Sequence, residues 1–227
     1  IYMGFSPSGP GQSGAESEES VNVEYGIRYT TTDFSGELIA FESDYDNLLG
    51  RCRASDSNCQ VGQEFSGGNV EVSGIEVTGQ GQYELGDTII LTSQINYTYS
   101  ESKFKSSFFS QFSQWGLVNE GDELPYVPKH AGRWQVGLES DLWALDLAVK
   151  YQHGMRETPG LGDITEGLHT DNITTVDVSA TWFVNEDVDV KILARNLTDD
   201  SSIVSHRPYG ARPNLPRTLL AQVKYRF

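Results

Sequence analysis

The 227 residues carry 16 Lys and Arg against 32 Asp and Glu, a formal charge of −16, with 11% aromatic and 21% charged residues. A chain this acidic lacks the basic footprint that displaces counterions from phosphates, so no nucleic-acid partner is expected. The longest apolar runs, Leu38–Phe41 and Leu142–Leu145, are four residues, far short of the roughly 20 that a membrane-crossing helix needs, yet aromatic and β-branched residues are too plentiful for disorder.

Taken in chain order, strands emerge from period two. Val21–Tyr29 places Val, Val, Tyr, Ile and Tyr on odd positions and Asn, Glu, Gly and Arg on even ones. Trp143–Tyr151 alternates in the same way, and at the end Leu219, Ala221, Val223, Tyr225 and Phe227 interleave with Leu220, Gln222, Lys224 and Arg226. The pattern predicts nine strands, near 20–30, 36–49, 67–83, 88–104, 127–139, 142–156, 172–184, 187–198 and 215–227, and no amphipathic helix. Gly74, Gly79 and Gly81 make the third strand the least regular and predict a bulge or kink there.

Short turns at Thr31–Gly36, Leu85–Asp87, Ser140–Asp141 and Asn185–Asp187 alternate with long polar connections near 50–66, 105–126, 157–171 and 199–214. A soluble sandwich has no reason to gather its long loops at one end, whereas an outer-membrane barrel does. Several strands also exceed both the usual soluble length of about 5–6 residues and the roughly 9–11 that cross a bilayer. Aromatics fall near strand ends, as interfacial girdles require: Tyr25, Tyr29, Phe41, Tyr45, Tyr97, Tyr99, Trp134, Trp143, Tyr151, Trp182, Phe183, Tyr225 and Phe227. The expected fold is therefore all-β, a transmembrane antiparallel β-barrel segment covering 1–227. Its lumen would be lined by Glu24, Arg28, Glu42, Asp44, Glu76, Asp146, Lys150, Asp189, Lys191, Lys224 and Arg226.

Nine strands is an odd number, and bacterial single-chain barrels are normally even. The last strand follows a long loop and so descends toward the periplasm; by alternation strand 20–30 descends too. Phe5–Ser20 then reads as an extracellular loop and Ile1–Gly4 as the top of an ascending strand, so further strands are expected before Ile1.

Cys52 and Cys59 flank six residues in a polar stretch, RCRASDSNCQ. A local disulfide in an oxidising compartment is the expectation, with two unrelated free thiols as the alternative. None of His130, His153, His169 and His206 is close enough in sequence to complete a zinc site. With no GxSxG, no paired carboxylates and no recognisable histidine partner pattern, neither catalytic residues nor a metal or cofactor are expected.

Ala194–Asp199 (ARNLTD) and Pro216–Phe227 (PRTLLAQVKYRF) resemble the penultimate and closing strands of TonB-dependent outer-membrane receptors. Val23–Tyr29 (VEYGIRY), Asp44–Leu49 (DYDNLL), Val72–Val77 (VSGIEV) and Pro125–Ala131 (PYVPKHA) support the same resemblance, in order along the chain. It implies a bacterial outer-membrane location and a 22-stranded barrel, of which this chain would hold the last nine strands and a stub, with no plug domain. The parent would import a ferric chelate, engaging the TonB complex through the missing N-terminal region. Tyr225 and Phe227 resemble the aromatic signal read by the barrel-assembly machinery, and lipid would surround the outer face.

The cysteine loop after DYDNLLG and Ser205–Arg217 (SHRPYGARPNLPR) resemble the ferric dicitrate branch. Ligand-binding candidates are Arg207, Arg212, His206 and Tyr209 in the last loop, with Arg51 and Arg53 beside the cysteines, because a guanidinium fork donates two hydrogen bonds to a carboxylate. Lys103 and Lys105 are weaker candidates. The competing reading is a small outer-membrane barrel acting as an adhesin, pore or rim enzyme.

Overall fold

Fifteen strands and no helix make up the described residues of the computed structural model, which are 17–52, 60–110, 115–164, 166–207 and 210–227, without the side chains of Phe65 and Ser66. In chain order they are β1 (Glu19–Thr30), β2 (Phe34–Asp46), β3 (Leu49–Arg51), β4 (Glu64–Ser66), β5 (Val70–Leu85), β6 (Ile89–Phe104), β7 (Phe108–Phe109), β8 (Leu117–Val118), β9 (His130–Glu139), β10 (Trp143–Gln152), β11 (Ile173–Phe183), β12 (Val188–Arg195), β13 (Ile203–Ser205), β14 (Arg212–Pro213) and β15 (Thr218–Tyr225). Nine of them form one antiparallel sheet in the order β1-β2-β5-β6-β9-β10-β11-β12-β15. The remaining six pair as three small ribbons, β3 with β4, β7 with β8 and β13 with β14, each inside a long connection.

Tight turns close one end of the sheet. Thr31 N donates to Phe34 O at 2.7 Å, Ser140 N to Trp143 O at 2.8 Å and Val184 N to Val188 O at 2.9 Å. In the β5–β6 turn Gly86 has φ +73°, a conformation that glycine adopts without Cβ strain. The long connections 47–69, 105–129, 153–172 and 196–217 all leave the opposite end.

Directly paired residues point to the same face, so the register sorts the side chains. One row across the sheet reads Tyr29, Gly36, Gly79, Ile95, Trp134, Val149, Val176. The adjacent row, on the other face, reads Arg28, Glu37, Thr78, Asn96, Arg133, Lys150, Thr175. The apolar face is open: Ile27 is 73% exposed, Trp182 62% and Leu219 70%. In water it would be an aggregation surface far beyond a normal patch, but in a bilayer hydrocarbon is its solvent. Trp143 pairs with Trp182, and Tyr225 with Val188, near the short-turn end of this face, where a lower aromatic girdle belongs.

Three expectations need correction. Glu42 and Asp44 do not line the lumen, since they pair with Val23 and Val21 and so share the outward face. They lie where β2, β5 and β6 run on past the apolar band, a row beyond Ala40, Ile75 and Tyr99. Here Lys105 binds Asp44 at 2.7 Å and Lys103 binds Glu71 at 2.6 Å, so both lysines are held in ion pairs at the tops of the strands. Second, Phe41, Tyr45 and Phe183 share the inward face and are not girdle residues. Third, β5 pairs continuously with β2 and β6 and has no bulge. Its glycines make room for close backbone approach and for rings. A Cβ on Gly74 would run first into the Tyr99 carbonyl oxygen and then into the Phe41 ring at 2.8 Å, and one on Gly81 would meet Asp33 O at 3.3 Å and the Phe34 ring at 3.4 Å.

The small buried core sits at the long-loop end. Val70 and Phe104 face each other across β5 and β6 and pack with Val118 from β8. Phe108 and Trp115 meet the Phe104 ring edge-on, with centroids at 5.6 and 5.8 Å. Ile1–Gly4 lies outside the described residues, and β1 and β15 each have a single neighbour in the sheet.

Candidate ligand-facing rim and lumen wall

Above β9 to β15 the long connections are tied together by buried polar groups. Arg156 is only 7% exposed, and its Nε donates to Glu123 Oε2 at 2.7 Å while Nη2 donates to Gly162 O at 2.9 Å. Lys129 Nζ reaches the other oxygen of Glu123 at 2.7 Å. Burial pushes the Glu123 carboxyl up, but hydrogen bonds from Lys129 and Arg156, with their charges, hold it below the ordinary glutamate range. Next to this pair Glu157 is 1% exposed. It accepts from the His206 backbone N at 2.7 Å and from Tyr126 OH at 3.2 Å, and its Oε2 lies 3.1 Å from His206 Nδ1. Burial pushes the Tyr126 phenol up, a Ser205 hydrogen bond pulls it down, and the Glu157 charge raises it again. Tyr126 holds φ +63°, a strained value for a bulky residue, with its N–H bonded to Arg156 O at 3.0 Å.

This collar fixes the last loop and changes the reading of its candidates. His206 is engaged by Glu157 and anchors the loop. Arg207 is half-buried beside it, its charge felt by Tyr126, whereas Arg212 is exposed on β14, opposite Ser205. Tyr209 lies outside the described residues, as do Arg53 and Cys59. Cys52 is buried and has no free thiol. Arg51, exposed on β3, donates to Gly62 O at 3.4 Å. Strands β5 to β12 separate its connection from the last one, so the two candidate groups belong to different sectors of the rim.

The ARNLTD stretch acts as a clasp. Asn196 leaves β12 at φ +47°, 4% exposed. Its Nδ2 donates to Asp200 O at 2.9 Å and Leu215 O at 2.8 Å, and its Oδ1 accepts from Asp200 N at 2.9 Å. The last loop is thereby bound to the start of β15. Arg217 N adds a bond to Asp199 Oδ1 at 2.9 Å. At Asp200 burial raises the carboxyl, but hydrogen bonds from Ser202 and Thr174 bring it below the ordinary aspartate range. At the other end Tyr225 stacks with Phe227, with centroids 6.4 Å apart, and Arg226 Nη2 binds Asp189 at 2.5 Å on the inward face.

The inward face of β9 to β15 is concave below this collar. Gln135, Asp146, Lys150, Asp177, Ser179 and Thr218 contribute to a hollow of about 600 Å³ that Asn214, Leu215 and Pro216 of the last loop overhang. Its two arginines, Arg133 and Arg195, lie at the loop-side ends of β9 and β12 and escaped sequence reasoning. Register with Lys150 was the signal that could have found Arg133. Among the described residues no group of three or more His, Cys, Asp or Glu is arranged to hold a metal ion.

Residues 2–197 match the family profile described as TonB dependent receptor-like, beta-barrel. Over 220 residues the chain is 24% identical to the vitamin B12 transporter BtuB of Photobacterium profundum, covering 96% of this chain and 32% of that protein. Its fold is similar to that of the closed-form ferric-catecholate import receptor Fiu of E. coli K12, with TM-score 0.71 and 19% identity over 98% of this chain and 30% of the other. It is also similar to the unliganded ferric citrate transporter FecA, with TM-score 0.67 and 18% identity over 92% of this chain and 31% of the other. The chain thus spans about a third of the length of these proteins.

Proposed function

The chain belongs to the TonB-dependent receptor β-barrel family of bacterial outer-membrane proteins, and from that premise we propose that it is part of an importer of a ferric chelate. One observation carries this reading. The nine-stranded sheet turns a predominantly polar face inward and a predominantly apolar face outward, beneath loops that a buried ionic collar holds in place. Such a wall suits a hydrophilic solute passing through a lumen lined by polar groups.

The chelate we favour is ferric dicitrate, supported by the Ser205–Arg217 sequence and by Arg212, exposed on the rim and able to present its fork to a carboxylate. Arg207 and Tyr209 would complete that group, and Arg51 and Arg53 would supply a second cationic sector beside a Cys52–Cys59 disulfide. The TonB complex would act through a region outside this chain. Tyr225 and Phe227 would serve the barrel-assembly machinery. The relative named as a vitamin B12 transporter gives a second cargo to test.

Uptake of radiolabelled ferric citrate, a ferric catecholate and cobalamin into a receptor-deficient host expressing the full-length protein decides among these. Energy-dependent uptake of ferric citrate is expected. Uptake of another chelate alone would refute the dicitrate assignment, and uptake of none would refute the import reading.

A further inference from the structure

On the outward face the apolar band ends in a row that reads Tyr25, Ala40, Ile75, Tyr99 and His130. His153, one strand on, extends it: its N–H donates to His130 O at 2.8 Å. The two imidazoles are half-buried, edge to face, with ring centroids 5.8 Å apart. Tyr99 packs against His130 with centroids at 5.2 Å, and the Tyr97 hydroxyl lies 2.8 Å from His130 Nδ1. The Nδ1 of His153 is buried and has no hydrogen-bond partner among the described residues.

Interfacial packing alone does not account for this pair. Tyrosine or tryptophan would serve a girdle as well, whereas a buried ring nitrogen without a partner is a feature that native structures rarely keep without a use. At His130 the Tyr97 contact engages Nδ1 and fixes the ring, which leaves Nε2 as the nitrogen able to bind a ligand; metal-binding histidines are oriented in this way by their outer partners. Neutral imidazole suits Zn²⁺, Cu²⁺ and Ni²⁺ better than Mg²⁺ or Ca²⁺, which seek oxygen. The neighbouring charges favour a cation. Glu42, Asp44, Glu71 and Glu101 lie on the same face, Lys103 and Lys105 are each paired to one of them, and Lys129 is held by Glu123.

We propose that His130 and His153 form an open two-histidine site for a divalent transition metal, Cu²⁺, Zn²⁺ or Ni²⁺. Among the described residues no third His, Cys, Asp or Glu joins them, so water would fill the remaining positions. The site stands where two long connections leave the sheet. Lys129 precedes His130 and Arg156 follows three residues after His153, and both bind Glu123. A bound metal would therefore cross-link the feet of the collar. The inference goes beyond the import reading and does not depend on the cargo, because the histidines face away from the lumen.

Full-length receptor in detergent is titrated with Cu²⁺ and read by electron paramagnetic resonance. The wild type should show nitrogen splitting from two imidazoles. His130→Gln and His153→Gln should each weaken Cu²⁺ binding about a hundredfold, the gain lost when a second ligand no longer sits beside the first, and Tyr97→Phe about tenfold. Zn²⁺ should displace Cu²⁺ only in excess, and Ca²⁺ should not displace it. Zn²⁺ should also slow hydrogen exchange of the His153 amide in the wild type and in neither histidine variant. A heat-modifiable shift in gel mobility verifies that each variant is folded. A wild-type spectrum with one imidazole or none would overturn the proposal whatever the variants do. So would unchanged affinity in either histidine variant, which would make the pair a packing contact, or displacement by Ca²⁺, which would point to the acids of the same face. Metal binding that leaves the His153 amide unprotected would overturn the cross-link.

Discussion

Asn196→Ala offers the sharpest test of how the last hairpin is held. The asparagine side chain makes three short bonds, two from Nδ2 and one to Oδ1, in a site that is 4% exposed. Each is worth about 1 kcal/mol net, and more where truncation strands a buried partner. Alanine must also hold φ +47°, which adds about 1 kcal/mol. Together these give about 3–4 kcal/mol, so local opening of the β12–β15 hairpin should become roughly 150- to 700-fold more frequent. Hydrogen exchange of the β15 amides in the full-length receptor, read by mass spectrometry, measures this directly. Asn196→Gly, which tolerates the backbone angle, should recover about 1 kcal/mol of the loss. Asn196→Asp should recover little, because its second oxygen would face the Asp200 and Leu215 carbonyls. Exchange in Asn196→Ala within about threefold of wild type would refute the clasp.

Two further outcomes follow from the faces and the collar. Ile95 and Gln94 are neighbours on opposite faces of β6, so Ile95→Arg should cost about 2–4 kcal/mol at membrane depth while Gln94→Arg is tolerated; equal urea midpoints for the two variants would show the register to be wrong. Because the Glu123 carboxyl is held below its ordinary range, its contribution is fully present above the unfolded-state value and is lost as pH falls through the lower folded value. Rim loops should therefore resist pepsin down to the ordinary glutamate range and loosen below it. Glu123→Gln should remove that dependence, and a pH profile unaltered by the substitution would refute the collar.

Much of the sheet was legible because period two is a strong signal when a strand has one face in lipid and one in a polar lumen. Trp143–Tyr151 needed no other information. Period assigns a face only while the environment on each side stays constant, and it failed where the strands leave the bilayer. Glu42 and Asp44 are polar on the outward face because that part of β2 stands above the apolar band, and no local pattern separates this from a register slip. The glycines of β5 read as irregularity because they admit Phe34 and Phe41 from the neighbouring strand, and only the register reveals which rings lie beside them. The rim was least legible. Arg156 and Glu123 meet across 33 residues, and Glu157 and His206 across 49, so only folding reveals that His206 is committed to an anchor. The hollow in the lumen wall was hidden for a related reason: its arginines, Arg133 and Arg195, sit on separate strands, each ordinary within its own alternation.

Each partner in the large sheet is the next long strand along the chain. Assembly of this portion therefore never needs to search for a distant mate. Each hairpin can zip onto the one before it after closing a loop whose entropy cost grows only slowly with length. The Glu157–His206 contact forms late in such an order, once β15 has brought the last loop round. The collar then ties the last loop to the long connection before it.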